Sequence, residues 1–383
     1  MTSTVLIVAP ADDAHAIAVQ TRINSLSHGI GQAVIVDLAT YPLGGDLSVR
    51  IEPGETCSSL GLVAALPSMY GPDFAQRLKQ LDVTRIARGD IRAVWWRRAR
   101  LPLPHPYEEA SLREFAQNNT QAQLWGYFLS LSETVPFVNV PMAEAAANYK
   151  LVQLEKAVQN GLDIPPTLIT NNPREAAKFV QEREQAERSC VVKQLRPAQS
   201  AGYLTQPISS ADAPRFAQIQ DAPVILQERV HGLDVRVVVV GEAVFAASEE
   251  PRVATGIPDI RATFDTSCAP LALPDSVRLK LLTLHKQLGL AFGAYDFIRS
   301  HDGRWVFLEV NTSGQWLYVE TGAAHRISEA LARLLWCGHV SEKDLEGDPF
   351  RESELDSMMA PFQNGVLERA RASSPVKTHW MAR

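Results

Sequence analysis

The chain has 383 residues, 46% of them hydrophobic, enough to fill the cores of two or three domains. Its formal net charge is −6, so no global basic field argues for nucleic acid. Cys57, Cys190, Cys268 and Cys337 are far apart and form no CxxC pair, which fits reduced cytosolic thiols better than a disulfide framework or a zinc site. The opening stretch, MTSTVLIVAPADDAHA, has no basic start, and no apolar run approaches membrane-spanning length. The expectation is a soluble cytoplasmic protein without a signal peptide.

In chain order, Val5 to Ala9 reads as a buried strand, Ala14 to Leu26 as a helix and Ala33 to Asp37 as a second strand, the start of an α/β unit. The turn APADDAH lacks GxGxxG, so a dinucleotide fingerprint is absent. Tyr41 to Pro72 reads as loops with weak strands. IRAVWWRRAR predicts a strand ending in a basic cluster, most simply strand-end packing with solvated arginines. Glu108 to Leu131 is helical, and Pro136 to Pro141 reads as a linker into a second unit.

From Glu144 the pattern restarts with a helix to Gln159, stopped by Asn160-Gly161. DIPPTLIT is extended. Asn172 and Pro173 supply the N-cap and first position of another helix. CVVKQL and Pro223 to Val230 are strands, and DVRVVVVGEAVFAA is a hairpin turning at Gly241-Glu242. A helix from Ser276 to Gly289, a last hairpin and a helix from Ala324 to Leu335 follow. The stretch from Ser341 is polar and without clear periodicity.

That last hairpin, FGAYDFIRSHDGRWVFLEVN, carries the chemistry. A two-residue Asp302-Gly303 turn pairs His301 with Arg304 and places Asp296 directly across from Glu309, their side chains about 5 Å apart. Asn311 lies on the same face, two residues on. Two opposed carboxylates repel, so a cation belongs between them, and hard oxygens with an amide suit Mg²⁺ shared with phosphates. Phosphates need basic partners. Lys193 lies inside an apolar strand, where it either holds such an anion or snorkels into water, whereas Lys150 alone reads as a surface lysine. Glu228 sits on an extended segment whose backbone is able to read an adenine edge. Asp234 and Arg236 share a strand face, which in isolation marks the solvent side equally well.

The ordered series NYK, DIPPTLIT, VVKQL, QERVHGLDVRV, GAYDF and LEVNTSGQW resembles the ATP-grasp carboxylate ligases. VLIVAPADDAHA, AVWWRRAR, IPDIR and NTSGQWLYVETG are similar, more narrowly, to the graspetide (microviridin-type) peptide maturases. The resemblance implies an α/β, ATP-grasp fold with an N-terminal pre-ATP-grasp (Rossmann-like) domain at 1–135. It also implies a central lobe at 142–230, a C-terminal lobe with the metal site at 231–340, and a polar tail at 341–383. It implies ATP and two Mg²⁺ ions as cofactors. Lys150 and Lys193 would hold phosphates, and Glu228, Arg229 and Val230 would lie at the adenine hinge with Asp234 beside the nucleotide. Asp296, Glu309 and Asn311 would ligate metal, and Arg236 and Arg261 would serve the reacting centre.

The implied activity converts Asp or Glu side chains of a ribosomal precursor peptide, leader plus core, into acyl phosphates and closes ester or amide macrocycles. The enzyme would be a homodimer, with no nucleic acid or membrane partner. A ligase joining free amino acids or small metabolites is the alternative. A non-catalytic nucleotide-binding module would have to lack a metal ligand, and Asp296, Glu309 and Asn311 are all present.

Overall fold

A computed structural model describes residues 3–42, 45–53, 55–63, 83–100, 102, 107–196, 205–251 and 266–359. The chain opens with β1 (Ser3–Val8), α1 (Ala14–Leu26) and β2 (Gly31–Val36). The helix starts where predicted because the Asp13 side chain accepts from the Ala16 N–H at 3.0 Å. The glycine- and proline-rich region holds β3 (Gly45–Glu52), β4 (Glu55–Val63) and β5 (Val83–Ala87), an antiparallel three-stranded sheet. β6 (Ile91–Trp96) and the long α2 (Ala110–Ser132) follow.

The expected linker is instead structural. Phe137–Val138 forms β7, which closes a four-stranded parallel sheet in the order β2-β1-β6-β7. Asn139, buried behind it, donates to the Phe292 and Thr312 carbonyls and accepts from the Ala291 and Phe292 N–H groups. All four hydrogen bonds reach across to the far end of the chain, which no local pattern reveals.

The next unit contains α3 (Pro141–Ala147), α4 (Lys150–Gln159), β8 (Thr167–Thr170), α5 (Pro173–Gln185), β9 (Cys190–Lys193), β10 (Gln206–Ile208) and β11 (Val224–Glu228). Its antiparallel sheet runs β10-β9-β11-β8. The single helix expected over Glu144 to Gln159 is two. The break at Asn148–Tyr149 has no Pro or Gly; it is held by Gln153, which donates to the Ala147 carbonyl at 2.7 Å, and by Thr312, which donates to Asn148 at 2.9 Å.

A five-stranded antiparallel sheet completes the frame: β12 (Gly232–Val240), β13 (Ala243–Pro251), β14 (Thr266–Pro270), β15 (Phe292–Ser300) and β16 (Trp305–Asn311), ordered β14-β13-β12-β15-β16. The predicted Gly241-Glu242 turn is present, with Val240 paired to Ala243 and Gly241 at φ +58°. Alternation divides this sheet. Val235, Val237, Val239, Tyr295, Phe297 and Phe307 pack toward α4 and α6 (Asp275–Gln287). Val238, Val240, Phe292 and Ala294 join a core shared with β1, α1, α7 (Leu317–Ala323) and α8 (Ile327–Cys337).

The first sheet and the last therefore share one hydrophobic core. Downstream, α9 (Glu352–Met359) brings Leu355 and Met358 onto it, and Arg22 of α1 stacks over Phe350 with its guanidinium 4.0 Å from the ring centre.

β12 begins tight against its neighbour. A Cβ on Gly232 would lie 2.2 Å from the Arg299 carbonyl oxygen and 2.7 Å from the Ser300 Cα. All the close atoms are β15 backbone, which cannot swing aside as a side chain could. Gly232→Ala is expected to cost about 1–3 kcal/mol in urea denaturation; an unchanged midpoint would contradict this packing.

Candidate active site

The site rests on how β15 meets β16. The loop at its tip is longer than expected: Ser300, not His301, opposes Arg304, its N–H donating to the Arg304 carbonyl at 2.9 Å. Three residues, His301 to Gly303, make the turn, with Gly303 at φ +85° in the left-handed position that such loops require. Asp302 accepts from Arg304 Nε at 2.8 Å and helps select this form. From the tip, Arg299 opposes Trp305, Ile298 opposes Val306 and Phe297 opposes Phe307. A bulge then intervenes, and Asp296 opposes Glu309, Tyr295 opposes Val310 and Ala294 opposes Asn311. The predicted opposition of the two carboxylates is real, but two departures from a plain hairpin cancel to produce it.

Each carboxylate meets a cation. Arg236 lies across from Asp296 on β12, and its Nη1 is 2.8 Å from Asp296 Oδ1. Its Nε donates to the Tyr318 hydroxyl at 2.9 Å and lies 3.8 Å from Glu249 Oε1. The Tyr318 hydroxyl in turn donates to Glu249. Burial opposes the charge on Arg236, but Asp296, Tyr318 and Glu249 outweigh it and hold the guanidinium above its ordinary pKa. Burial raises the Glu249 carboxyl, with Asp296 adding to the effect and Arg236 opposing it. Asp234 opposes Glu249 directly on the same face.

Lys150 Nζ is ion-paired with Glu309. Lys150 is the first residue of α4, where a positive charge works against the helix dipole. The Glu309 carboxylate offsets that penalty. Asn311 is exposed, and its Oδ1 accepts from the Ser313 N–H at 3.1 Å. Lys150, Arg236, Asp296, Glu309 and Asn311 thus come together on one face of the sheet, across β12, β15 and β16. Among the described residues no three or more His, Cys, Asp or Glu side chains are grouped to hold a metal. A cation here would rest on two carboxylates, an amide and the anion it shares.

A second cluster lies on the β9–β11 pair. Lys193 Nζ donates to Gln227 Oε1 at 2.7 Å, and Gln227 Nε2 donates to Thr167 at 2.9 Å. Glu228 Oε2 lies 3.5 Å from Arg183, while its N–H donates to the Pro166 carbonyl. The Arg229 N–H donates to the Ser189 carbonyl, and Arg229 and Val230 are half-buried where the chain passes from one sheet to the next. Arg261 lies outside the described residues.

Sequence reading missed a third group, which ties residues 312–317 to the first unit. Arg97 is not a solvated arginine: its side chain is 0% exposed and its Nε is 3.0 Å from Asp13 Oδ1. Its Nη1 lies 3.5 and 3.4 Å from the Ser313 and Gly314 carbonyls. Glu144 Oε1 accepts from Ser313 Oγ at 3.1 Å, and His15 Nε2 accepts from the Trp316 N–H at 3.1 Å. One signal was available: ADDAH and RRAR follow β1 and β6, adjacent parallel strands, so their charges emerge side by side.

No protein-family model and no curated protein matches the chain. Solved structures do. The macrocyclase MdnC of Microcystis aeruginosa MRC, bound with precursor peptide MdnA, is 26% identical with a TM-score of 0.69, over 87% of this chain and 99% of that one. A RiPP-associated ATP-grasp ligase of Chryseobacterium gregarium, in complex with ADP and a leader and core peptide, is 22% identical with a TM-score of 0.73, covering 89% and 98%. The ATP-grasp ligase PsnB, complexed with a phosphomimetic variant of its minimal precursor, Mg and ADP, is 21% identical with a TM-score of 0.64, covering 88% and 98%. The fold is the α/β ATP-grasp fold, and the likeness to ATP-grasp peptide maturases read from the sequence is borne out.

Glu144 offers a test of the third group. Burial, partly offset by the Ser313 hydrogen bond and by Arg97, raises its carboxyl from 4.5 to about 7. A pKa raised by folding favours the native state fully below pH 4.5 and progressively less as pH rises through about 7. Glu144→Gln is therefore expected to flatten the fall in melting temperature across that window. Parallel melting profiles for the two proteins would show that Glu144 does not titrate as described.

Proposed function

We propose that this ATP-grasp chain is an ATP- and Mg²⁺-dependent ligase that activates Asp or Glu side chains of a ribosomal precursor peptide and closes ester or amide macrocycles. The observation that carries the reading is the Asp296–Glu309 pair, opposed across two strands and flanked by Arg236 and Lys150. Peptide as substrate is supported by the precursor, leader and core peptides bound in the similar structures. That support favours a peptide substrate over free amino acids.

The donor set fits magnesium: two hard carboxylates and an amide on one face of the sheet. Asp296, Glu309 and Asn311 would hold it, and it would neutralise charge building on the transferring phosphoryl group. Lys150 and Lys193 are assigned to the phosphates, Glu228, Arg229 and Val230 to the adenine, and Asp234 to the nucleotide's side of the strand. A substrate carboxylate oxygen attacks the γ-phosphorus, the bond to ADP breaks, and an acyl phosphate results. A hydroxyl or amine of the same peptide then attacks the acyl carbon, phosphate leaves, and the nucleophile's proton goes to solvent or a base. Arg236 would steady negative charge during both steps, a role supported by Asp296, Tyr318 and Glu249, which keep it charged and oriented. Arg261 is assigned to the same centre on its sequence context alone.

The protein is read as cytoplasmic and homodimeric. All four cysteines are free, and among the described residues no helix is long and apolar enough to cross a membrane.

Glu309→Gln and Asp296→Asn are each expected to abolish ATP turnover while circular dichroism and melting remain native-like. Wild-type turnover in either variant ends the metal assignment. With ATP and Mg²⁺ the precursor is expected to lose one water mass per ring by mass spectrometry. An unchanged precursor beside ligation of free amino acids would favour the alternative.

A further inference from the structure

We propose that Arg97 is a positioning residue through which the N-terminal unit completes the active site, by fixing residues 312–317 and with them the Asn311 amide. The proposal rests on the reading of Asn311 as a metal ligand. Loop 312–317 leaves the end of β16 directly after Asn311, and residues from much earlier in the chain hold it along its length. Asn139 and Asn148 hold Thr312. Arg98 Nε donates to the Ser313 carbonyl at 3.1 Å, and Arg97 faces the Ser313 and Gly314 carbonyls. His15 receives the Trp316 and Leu317 N–H groups at 3.1 and 3.4 Å. Gly314 lies so close to β15 that a Cβ would stand 2.5 Å from that of Ala294, the residue opposite Asn311. The exposed Gln315 is presented outward from a loop restrained on both sides.

A buried guanidinium is an expensive way to hold a loop, since several kcal/mol of desolvation must be offset by its partners. Among the described residues Asp13 is its one carboxylate partner by ion pairing, and Arg97 Nη2 and Glu144 Oε2 are both buried without a hydrogen bond there. Packed apolar side chains in place of a whole buried ion pair are often neutral or stabilising, so stability alone does not account for the charge. What the charge does is aim. Asp13 lies 3.5 Å from His15 Nδ1, which directs Nε2, as acceptor, at the loop backbone. Burial and Arg97 depress His15 to about 4, so it stays neutral and keeps that role at physiological pH. The Ser313 N–H, in turn, donates to Asn311 Oδ1, linking the clamp to the amide.

The test is calorimetric titration of Mg²⁺ into the full chain saturated with AMPPNP, a non-hydrolysable ATP analogue, so that binding is read without turnover. Arg97→Lys keeps the charge but loses the planar fork, and its Mg²⁺ dissociation constant is expected to rise roughly 10–100-fold, as when other outer-sphere partners of a metal ligand are lost. Asp13→Asn, which keeps the bulk at the partner position, is expected to shift it in the same direction and serves if Arg97→Lys does not fold. In an Asn311→Ala background, Arg97→Lys is expected to add nothing. A folded Arg97→Lys protein with wild-type Mg²⁺ affinity, beside a weakened Asn311→Ala protein, overturns the proposal alone. Wild-type affinity in Asn311→Ala overturns the metal reading on which it stands.

Discussion

One extra residue on β16 decides whether Asp296 and Glu309 face each other on this sheet. Near the hairpin tip Phe297 faces Phe307, and a straight ladder from there would set Leu308 across from Asp296 and turn Glu309 into the core beside Tyr295. The bulge adds a residue at that point and changes the face that every later side chain occupies. Glu309 and Asn311 come to the side of Asp296, while Phe307 and Val310 keep the hydrophobic side. The rest of the charge arrangement follows from this shift.

Once opposed, the carboxylates need cations, and the frame delivers two from different elements. Arg236 comes from the neighbouring strand in register, Lys150 from the first turn of α4. Neither is placed by its own local preference. The arginine is held above its ordinary pKa by Asp296, Tyr318 and Glu249 against the penalty of burial. The lysine occupies a helix end whose dipole disfavours it. Such local cost on both sides of one ion cluster is what a site built for a charged ligand looks like.

The units of the chain are not independent supports. The parallel sheet and the five-stranded sheet share one core, and the strand β7 and buried Asn139 stitch the start of the second unit to residues more than 150 positions away. Arg92 of β6 stacks on Trp336 of α8, 4.7 Å from the ring centre. Rigid joining of this kind makes it reasonable that groups from the first unit, Asp13, His15 and Arg97, govern a loop that belongs to the last.

Short-range chemistry was legible in the residues: the Asn172 cap, the Gly241-Glu242 turn, the alternating strands, and the opposition of Asp296 and Glu309 on the last hairpin. These depend on neighbours a few positions away, or on a two-residue period that any reader of the chain can count. The break between α3 and α4, the strand within Pro136 to Pro141, the helix α7, the bulge before Glu309 and the buried state of Arg97 were not legible. Three of these have partners far off in sequence: Thr312 for the helix break, Phe292 for Asn139, Ser313 and Gly314 for Arg97. The sequence by itself determined which charged and amide side chains each strand carries and where the strands run. The tertiary structure alone decided which face they share and what holds them there, because burial and long-range hydrogen bonds, unlike caps and turns, exist only after the chain has closed on itself.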